Sequence, residues 1–141
     1  MPRKRPPHPA PFGAHQSIAG AYAKAVERAV ETGCEALQIF TRNINQWQTK
    51  PISAEEAERF REAVAEAELS FVVAHDSYLI NPASADRDLR KKSIAALAEE
   101  FERAEVLGIP WVVAHPGAAG EQPREQAVER AAEGGPVSPV E

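Results

Sequence analysis

Two five-residue segments, Phe71-Val72-Val73-Ala74-His75 and Trp111-Val112-Val113-Ala114-His115, are nearly identical and lie 40 positions apart. Each is a short apolar run, rich in β-branched residues, that ends in a histidine and then meets turn-forming residues. Such runs are expected to be strands buried on both faces. A weaker version, Phe12-Gly13-Ala14-His15, stands near the start. Helical patterns separate these runs, so the strands are expected to be parallel, with their carboxyl ends on one edge of a sheet. This repeat restricts the chain to α/β folds. It also delivers three imidazoles, His15, His75 and His115, to the edge where such folds carry their chemistry.

The intervening pattern fills in the rest. A weak first strand is expected at about Pro11 to His15, where Gly13 is tolerable if backbone or ligand approaches closely. Tyr22, Val26, Ala29 and Val30 recur at helical spacing from about Tyr22 to Thr32, and Gly33 suits the stop. Leu37 to Phe40 reads as a second strand that ends in Thr41 and Arg42 instead of histidine. Ser53 and Glu56 form a capping box opening a helix to about Ala67, with Ala57, Phe60, Val64 and Ala67 on one face. Asn81-Pro82 breaks the chain before a longer helix, about Asp86 to Leu107, striped by Ile94, Leu97, Phe101 and Ala104 and ended by Gly108. Trp111 to His115 is the fourth strand. Pro123 suits the first turn of a fourth helix, closed by Gly134-Gly135.

Four βα units make half of an eightfold barrel. A four-stranded doubly wound sheet fits the same order, and the residues leave the two open. The units occupy 12–133. Residues 1–11, with Arg3, Lys4, Arg5 and many prolines, read as a loose tail or as a basic arm seeking nucleic acid. Residues 134–141 read as a ragged end.

A length of 141 residues allows one domain with its own core. The net charge of −5 does not advertise a nucleic-acid binder, although a local basic patch is compatible with it. Cys34 is the single cysteine, which excludes an intramolecular disulfide and points to a reducing, cytoplasmic compartment. No apolar run is long enough to cross a bilayer, and the start has no apolar core of a secretory signal, so no membrane partner is expected. The glycines match neither nucleotide-binding fingerprint, and neither Ser17 nor Ser77 lies in a nucleophile elbow.

A single histidine at a strand end is commonly satisfied by a backbone carbonyl. Three on one edge suggest a transition-metal site, zinc by ligand preference, with copper or nickel open. Asp76 is then either a ligand or a partner orienting a ring, or else a carboxylate capping its own turn. Two loops add to the edge. From Glu35 to Glu55 no acidic residue intervenes, while Arg42, Asn43, Asn45, Gln46, Trp47, Gln48 and Lys50 can hydrogen-bond to and stack on nucleic acid. Tyr78-Leu79-Ile80 presents an apolar triplet suited to wedging into a duplex. The competing reading is that Trp47 and Ile80 cover the barrel edge.

Five segments resemble the endonuclease IV family of abasic-site endonucleases, in order and at matching spacing. They are Gly13-Ala14-His15-Gln16-Ser17-Ile18-Ala19-Gly20, Leu37-Gln38-Ile39-Phe40-Thr41, Asn45-Gln46-Trp47, His75-Asp76-Ser77-Tyr78-Leu79-Ile80-Asn81 and His115-Pro116-Gly117. The resemblance spans roughly Phe12 to Ala132 and implies part of a TIM barrel of the xylose-isomerase-like type. It implies a DNA-repair enzyme holding three zinc ions that hydrolyses the phosphodiester 5′ to an abasic site in double-stranded DNA. By resemblance, His75 and His115 are metal ligands, and Tyr78 and Leu79 insert at the lesion. Asn45, Gln46 and Trp47 meet the minor groove, and His15 and Asp76 play supporting roles.

In that family the remaining ligands, including a bridging glutamate, come from strands five to eight. This chain is therefore expected to carry the amino-terminal half of the barrel, with an incomplete metal centre and no activity of its own. The departure of Gly134 to Glu141 from helical pattern points to a truncated or frame-shifted reading. Two alternatives stand beside this. One is a sugar isomerase or epimerase on the related barrel, against which the Tyr78-Leu79 wedge argues. The other is a non-catalytic half-barrel that binds DNA, or pairs with another chain to complete the barrel.

Overall fold

In a computed structural model describing residues 10–134, the sheet runs β1-β2-β3-β4 in sequence order, every neighbour parallel. The elements are β1 (Gly13–His15), α1 (Tyr22–Glu31), β2 (Ala36–Phe40), α2 (Ala54–Glu66), β3 (Phe71–His75), α3 (Arg87–Leu107), β4 (Val112–Val113) and α4 (Arg124–Gly134). Consecutive order without a reversal is the arrangement of a barrel wall, whereas a doubly wound sheet would show a switch point. The tail expected at 1–11 and the end expected at 134–141 lie outside the described residues, apart from Ala10, Pro11 and Gly134.

Local chemistry accounts for the element ends. At α2, Ser53 accepts from the Glu56 N–H at 3.1 Å and the Glu56 carboxylate accepts from the Ser53 N–H at 3.1 Å, the expected capping box. At α3, Asp86 caps the N–H groups of Asp88 and Leu89, and Gly108 ends the helix in the left-handed region at φ 71°. Gly13 lies so close to β2 that a Cβ there would fall 2.0 Å from the Ala36 carbonyl oxygen. The close backbone approach anticipated at this glycine is present.

The main core lies between the sheet and α1 to α3, and joins Ala25, Val26 and Ala29 to Leu37, Ile39, Ala57, Phe60, Val72, Ala74, Ala104 and Leu107. Three expectations need correction here. β2 and β3 are buried on one face only, and β1 and β4 contain no buried residue: Leu37, Ile39, Val72 and Ala74 point at the helices, while Phe71 is 44% exposed. No described element covers the opposite face. The faces of α1 and α3 are also rotated, whereas α2 packs through the expected Ala57, Phe60, Val64 and Ala67. Val30 and Phe101 are exposed, and the inward face of α3 runs through Ser93, Ala96, Leu97, Glu100, Arg103, Ala104 and Leu107. Finally, the fourth strand spans Val112–Val113 alone, because only Ala74 and His75 pair with it and no described strand lies on its other side. His115 therefore stands in the loop after β4.

Candidate functional site

β1 and β3 end in His15 and His75, and β2 ends in Phe40. Parallel register sets Phe40 beside His75 and His15 beside Gln38. The rings form a row across the carboxyl edge. His15 and Phe40 are 4.3 Å apart between centroids, Phe40 and His75 5.6 Å, and His75 and His115 5.1 Å. The three expected imidazoles do share one edge, but Phe40 separates His15 from the adjacent pair. Tyr78 meets Phe40 and His75 edge-on, at 5.4 and 6.1 Å.

Hydrogen bonding sets what each imidazole offers. His75 Nδ1 lies 2.8 Å from the Asp76 carbonyl oxygen, which can only accept, so Nδ1 is the donor, and in the neutral ring Nε2 keeps its lone pair. His15 Nδ1 accepts from Gln38 Nε2 at 2.9 Å. Burial, with His75 nearby, holds the His15 pKa below its ordinary 6.5, so this ring is a neutral neighbour. Asp76 is 2% exposed, with Oδ1 3.4 Å from His75 Nδ1 and no hydrogen-bond partner for Oδ2 among the described residues. Burial pushes its carboxyl up, against the opposing pull of His75, His115 and the His115 N–H. That places Asp76 where it can orient a ring. Among the described residues no group of three or more His, Cys, Asp or Glu is arranged to hold a metal ion.

The two flanking loops behave differently. Tyr78 is 69% exposed above the histidine pair, Leu79 is half-buried and Ile80 is buried. Asn45 and Gln46 are exposed, whereas Trp47 packs with Ile80, Ala96 and Leu97 in a second small core, under the Lys92 ammonium at 4.5 Å. Trp47 and Ile80 thus cover the edge, and the polar pair and the tyrosine face outward. Ser77 joins the loops by donating to the Ile44 carbonyl at 3.0 Å. Cys34 lies before β2, away from this edge.

Sequence reasoning missed a buried charged cluster beneath the β2 loop: Arg42, Glu100 and Arg103, with Tyr22, Thr41, Thr49 and Glu99. The signal was present. Glu100 and Arg103 fall three or four residues from Leu97, Ala104 and Leu107, on the face that must turn inward. A separate groove of about 510 Å³, lined by Arg87, Arg90, Lys91, Arg130 and Glu133, concentrates positive charge. The net charge of −5 had concealed it.

No helix among the described residues is long and apolar enough to cross a membrane. The profile of the xylose isomerase-like TIM barrel family matches residues 26–134. A probable endonuclease 4 of Trichlorobacter lovleyi is 48% identical over 119 residues, covering 84% of this chain and 42% of that protein. Its counterpart in Chloroflexus aurantiacus is 50% identical over 107 residues, covering 76% and 38%. The crystal structure of endonuclease IV from Thermus thermophilus superposes with a TM-score of 0.76 at 37% identity, over 89% of this chain and 46% of that one. D-psicose 3-epimerase from Clostridium cellulolyticum H10 superposes with a TM-score of 0.64 at 17% identity over 89% and 46%, which shows the shared fold. The chain spans about two fifths of the length of these endonuclease relatives. With its sequential parallel sheet and ring row at the carboxyl edge, it belongs to the xylose isomerase-like TIM barrel family, and within that family it is related to endonuclease IV.

Proposed function

We propose that this chain supplies part of a zinc-dependent DNA-repair endonuclease that hydrolyses the phosphodiester on the 5′ side of an abasic site in duplex DNA. The observation that carries the proposal is the pairing of His75 and His115, 5.1 Å apart, beneath an outward-facing Tyr78 on one edge. Two adjacent imidazoles, one with its Nε2 lone pair open, fit part of a zinc site. They are fewer than the three protein donors of a catalytic zinc, so the 141 residues alone are not expected to cleave. When bound, zinc would polarise a phosphoryl oxygen and activate water.

The chain's own residues have the remaining tasks. Asp76 and its carbonyl orient His75. Tyr78, with Leu79 behind it, meets the gap where a base is missing and stacking is already lost, while Asn45 and Gln46 donate to and accept from the neighbouring groove. The basic groove of Arg87, Arg90, Lys91 and Arg130 offers a polyanion electrostatic attraction that the net charge denies it.

Two titrations test this. Zinc binding measured against a competing chelator should be lost in His75→Ala and in His115→Ala. Duplex DNA carrying one abasic site should bind more tightly than the intact duplex, and Tyr78→Ala should erase the difference. Equal affinity for both duplexes would sink the lesion reading, and zinc affinity indifferent to both histidines would sink the metal reading.

A further inference from the structure

The segment from Asn43 to Lys50 contains no helix or strand, yet its backbone is gripped from below. Arg42, whose side chain is 1% exposed, donates from Nη1 to Glu99 Oε2 at 3.0 Å. From Nη2 it donates to the carbonyls of Gln46, at 3.5 Å, and Trp47. Glu99 takes a second bond from Thr49 Oγ1 at 2.7 Å. Arg103 donates to the Lys50 carbonyl at 2.8 Å, to Thr41 O at 2.5 Å and to the Tyr22 hydroxyl at 2.8 Å. Glu100, whose side chain is fully buried, faces Arg42 Nε at 3.7 Å and accepts from Thr41 Oγ1 at 2.6 Å.

Burying these charges is costly. Replacing a buried ion pair by apolar side chains is often neutral or stabilising, so stability alone is a poor reason for the cluster. Its hydrogen bonds show another purpose. The two arginines direct their donors to loop carbonyls at residues 41, 46, 47 and 50, and the glutamates that balance them stand side by side on α3. An arginine fork bound to carbonyls fixes direction as well as distance. A short polar loop without a ladder of its own needs such a frame if its exposed side chains are to be preorganised.

We propose that the Arg42–Glu99 pair is a positioning device that locks residues 43–50 to α3 and so presents Asn45 and Gln46 at a set height beside Tyr78. Glu99 is the member that reaches the surface, and it clamps both ends of the loop through Arg42 and Thr49. The identity of the ligand so addressed rests on the DNA reading above, whereas the clamp itself does not.

The experiment compares the 141-residue protein with its Glu99→Ala and Glu99→Gln variants by amide hydrogen exchange, with the Trp47 indole N–H followed by NMR. Because a hydrogen bond to a charged group contributes on the order of tenfold or more to such an opening equilibrium, Glu99→Ala should speed exchange at residues 43–50 by at least about tenfold. The Trp47 signal should shift or broaden, protection in β2, β3 and α3 should persist, and Glu99→Gln should recover most of the loss. Unchanged loop exchange, or protection lost evenly along the chain, would overturn the proposal. Affinity for abasic duplex is then read on the same samples. A loosened loop with unaltered affinity would refute the presentation role. Absence of any lesion preference in the unaltered protein would refute the DNA reading and leave the exchange result to judge the clamp.

Discussion

Asn81 and Ala118 join the loops that follow β3 and β4: the Asn81 carboxamide oxygen accepts from the Ala118 N–H at 3.1 Å, and its nitrogen donates to the Ala118 carbonyl at 3.4 Å. These are the loops that carry Tyr78 and His115. The contact is possible because residue 117 is glycine, at φ 106°, and a Cβ there would lie 2.1 Å from Asn81 Oδ1. Gly117→Ala should therefore cost about 1–3 kcal/mol through backbone strain, and should weaken the zinc binding proposed above by separating His115 from His75. Urea denaturation and the chelator competition measure the two effects. Wild-type values in both would show that the Asn81–Ala118 link is dispensable.

Gly13→Ala should be more damaging than its exposed position suggests. Its Cβ would have to displace the Ala36 carbonyl, and the obstacle is backbone, not a flexible side chain. We expect a loss of about 3 kcal/mol or more, among the larger single-residue effects. Hydrogen exchange should show lost protection at Gln16, Glu35 and Ala36, whose N–H groups bond across the β1–β2 seam. Retained protection there would contradict the steric argument.

Ser53→Ala should destabilise the protein by about 1 kcal/mol at neutral pH, the usual value of an N-cap. The effect is pH-dependent. Hydrogen bonds from the Ser53 backbone and side chain hold the Glu56 carboxyl below its ordinary 4.5, so the ionised form stabilises the fold above that value. This contribution is lost as pH falls through the lowered folded pKa. The stability gap between wild type and Ser53→Ala should accordingly narrow in acid, and a constant gap would argue against it.

Glu100 should show the opposite sign. Burial raises its carboxyl above 4.5 despite the opposing Thr41, Arg42 and Arg103, and Asp76 adds to the rise. Between 4.5 and its raised folded value the folded state holds a proton that the unfolded state releases, so the Glu100 contribution to stability is fully present below 4.5 and is lost as pH rises through the folded value. Glu100→Gln should flatten that decline in denaturation series run from pH 4 upward. An unchanged slope would assign the titration elsewhere.

Much of this structure was legible from short-range patterns. The Ser53–Glu56 box, Asp86 before α3, the Gly108 stop and the full extent of β3 each depend on residues within a few positions of one another. The histidine-terminated runs also announced which edge would gather the imidazoles, because strand direction and helical crossovers leave one arrangement of parallel carboxyl ends. Trp47 shows the limit. Its polar neighbours suggested an exposed loop, but whether the ring faced ligand or core depended on Ile80, Ala96 and Leu97.

The sequence by itself determined the βα repeat, the helix caps and the placement of His15 and His75 at strand ends, since dihedral preference and periodicity are local properties. Tertiary structure alone decided that Phe40 would stand between His15 and His75, that β2 and β3 would bury one face only among the described residues, and that β4 would shrink to two residues. It also turned Glu100 and Arg103 inward to meet Thr41, 59 and 62 positions away. Burial of a charge is settled by the partner that neutralises it, and such partners are brought together by packing and not by proximity along the chain.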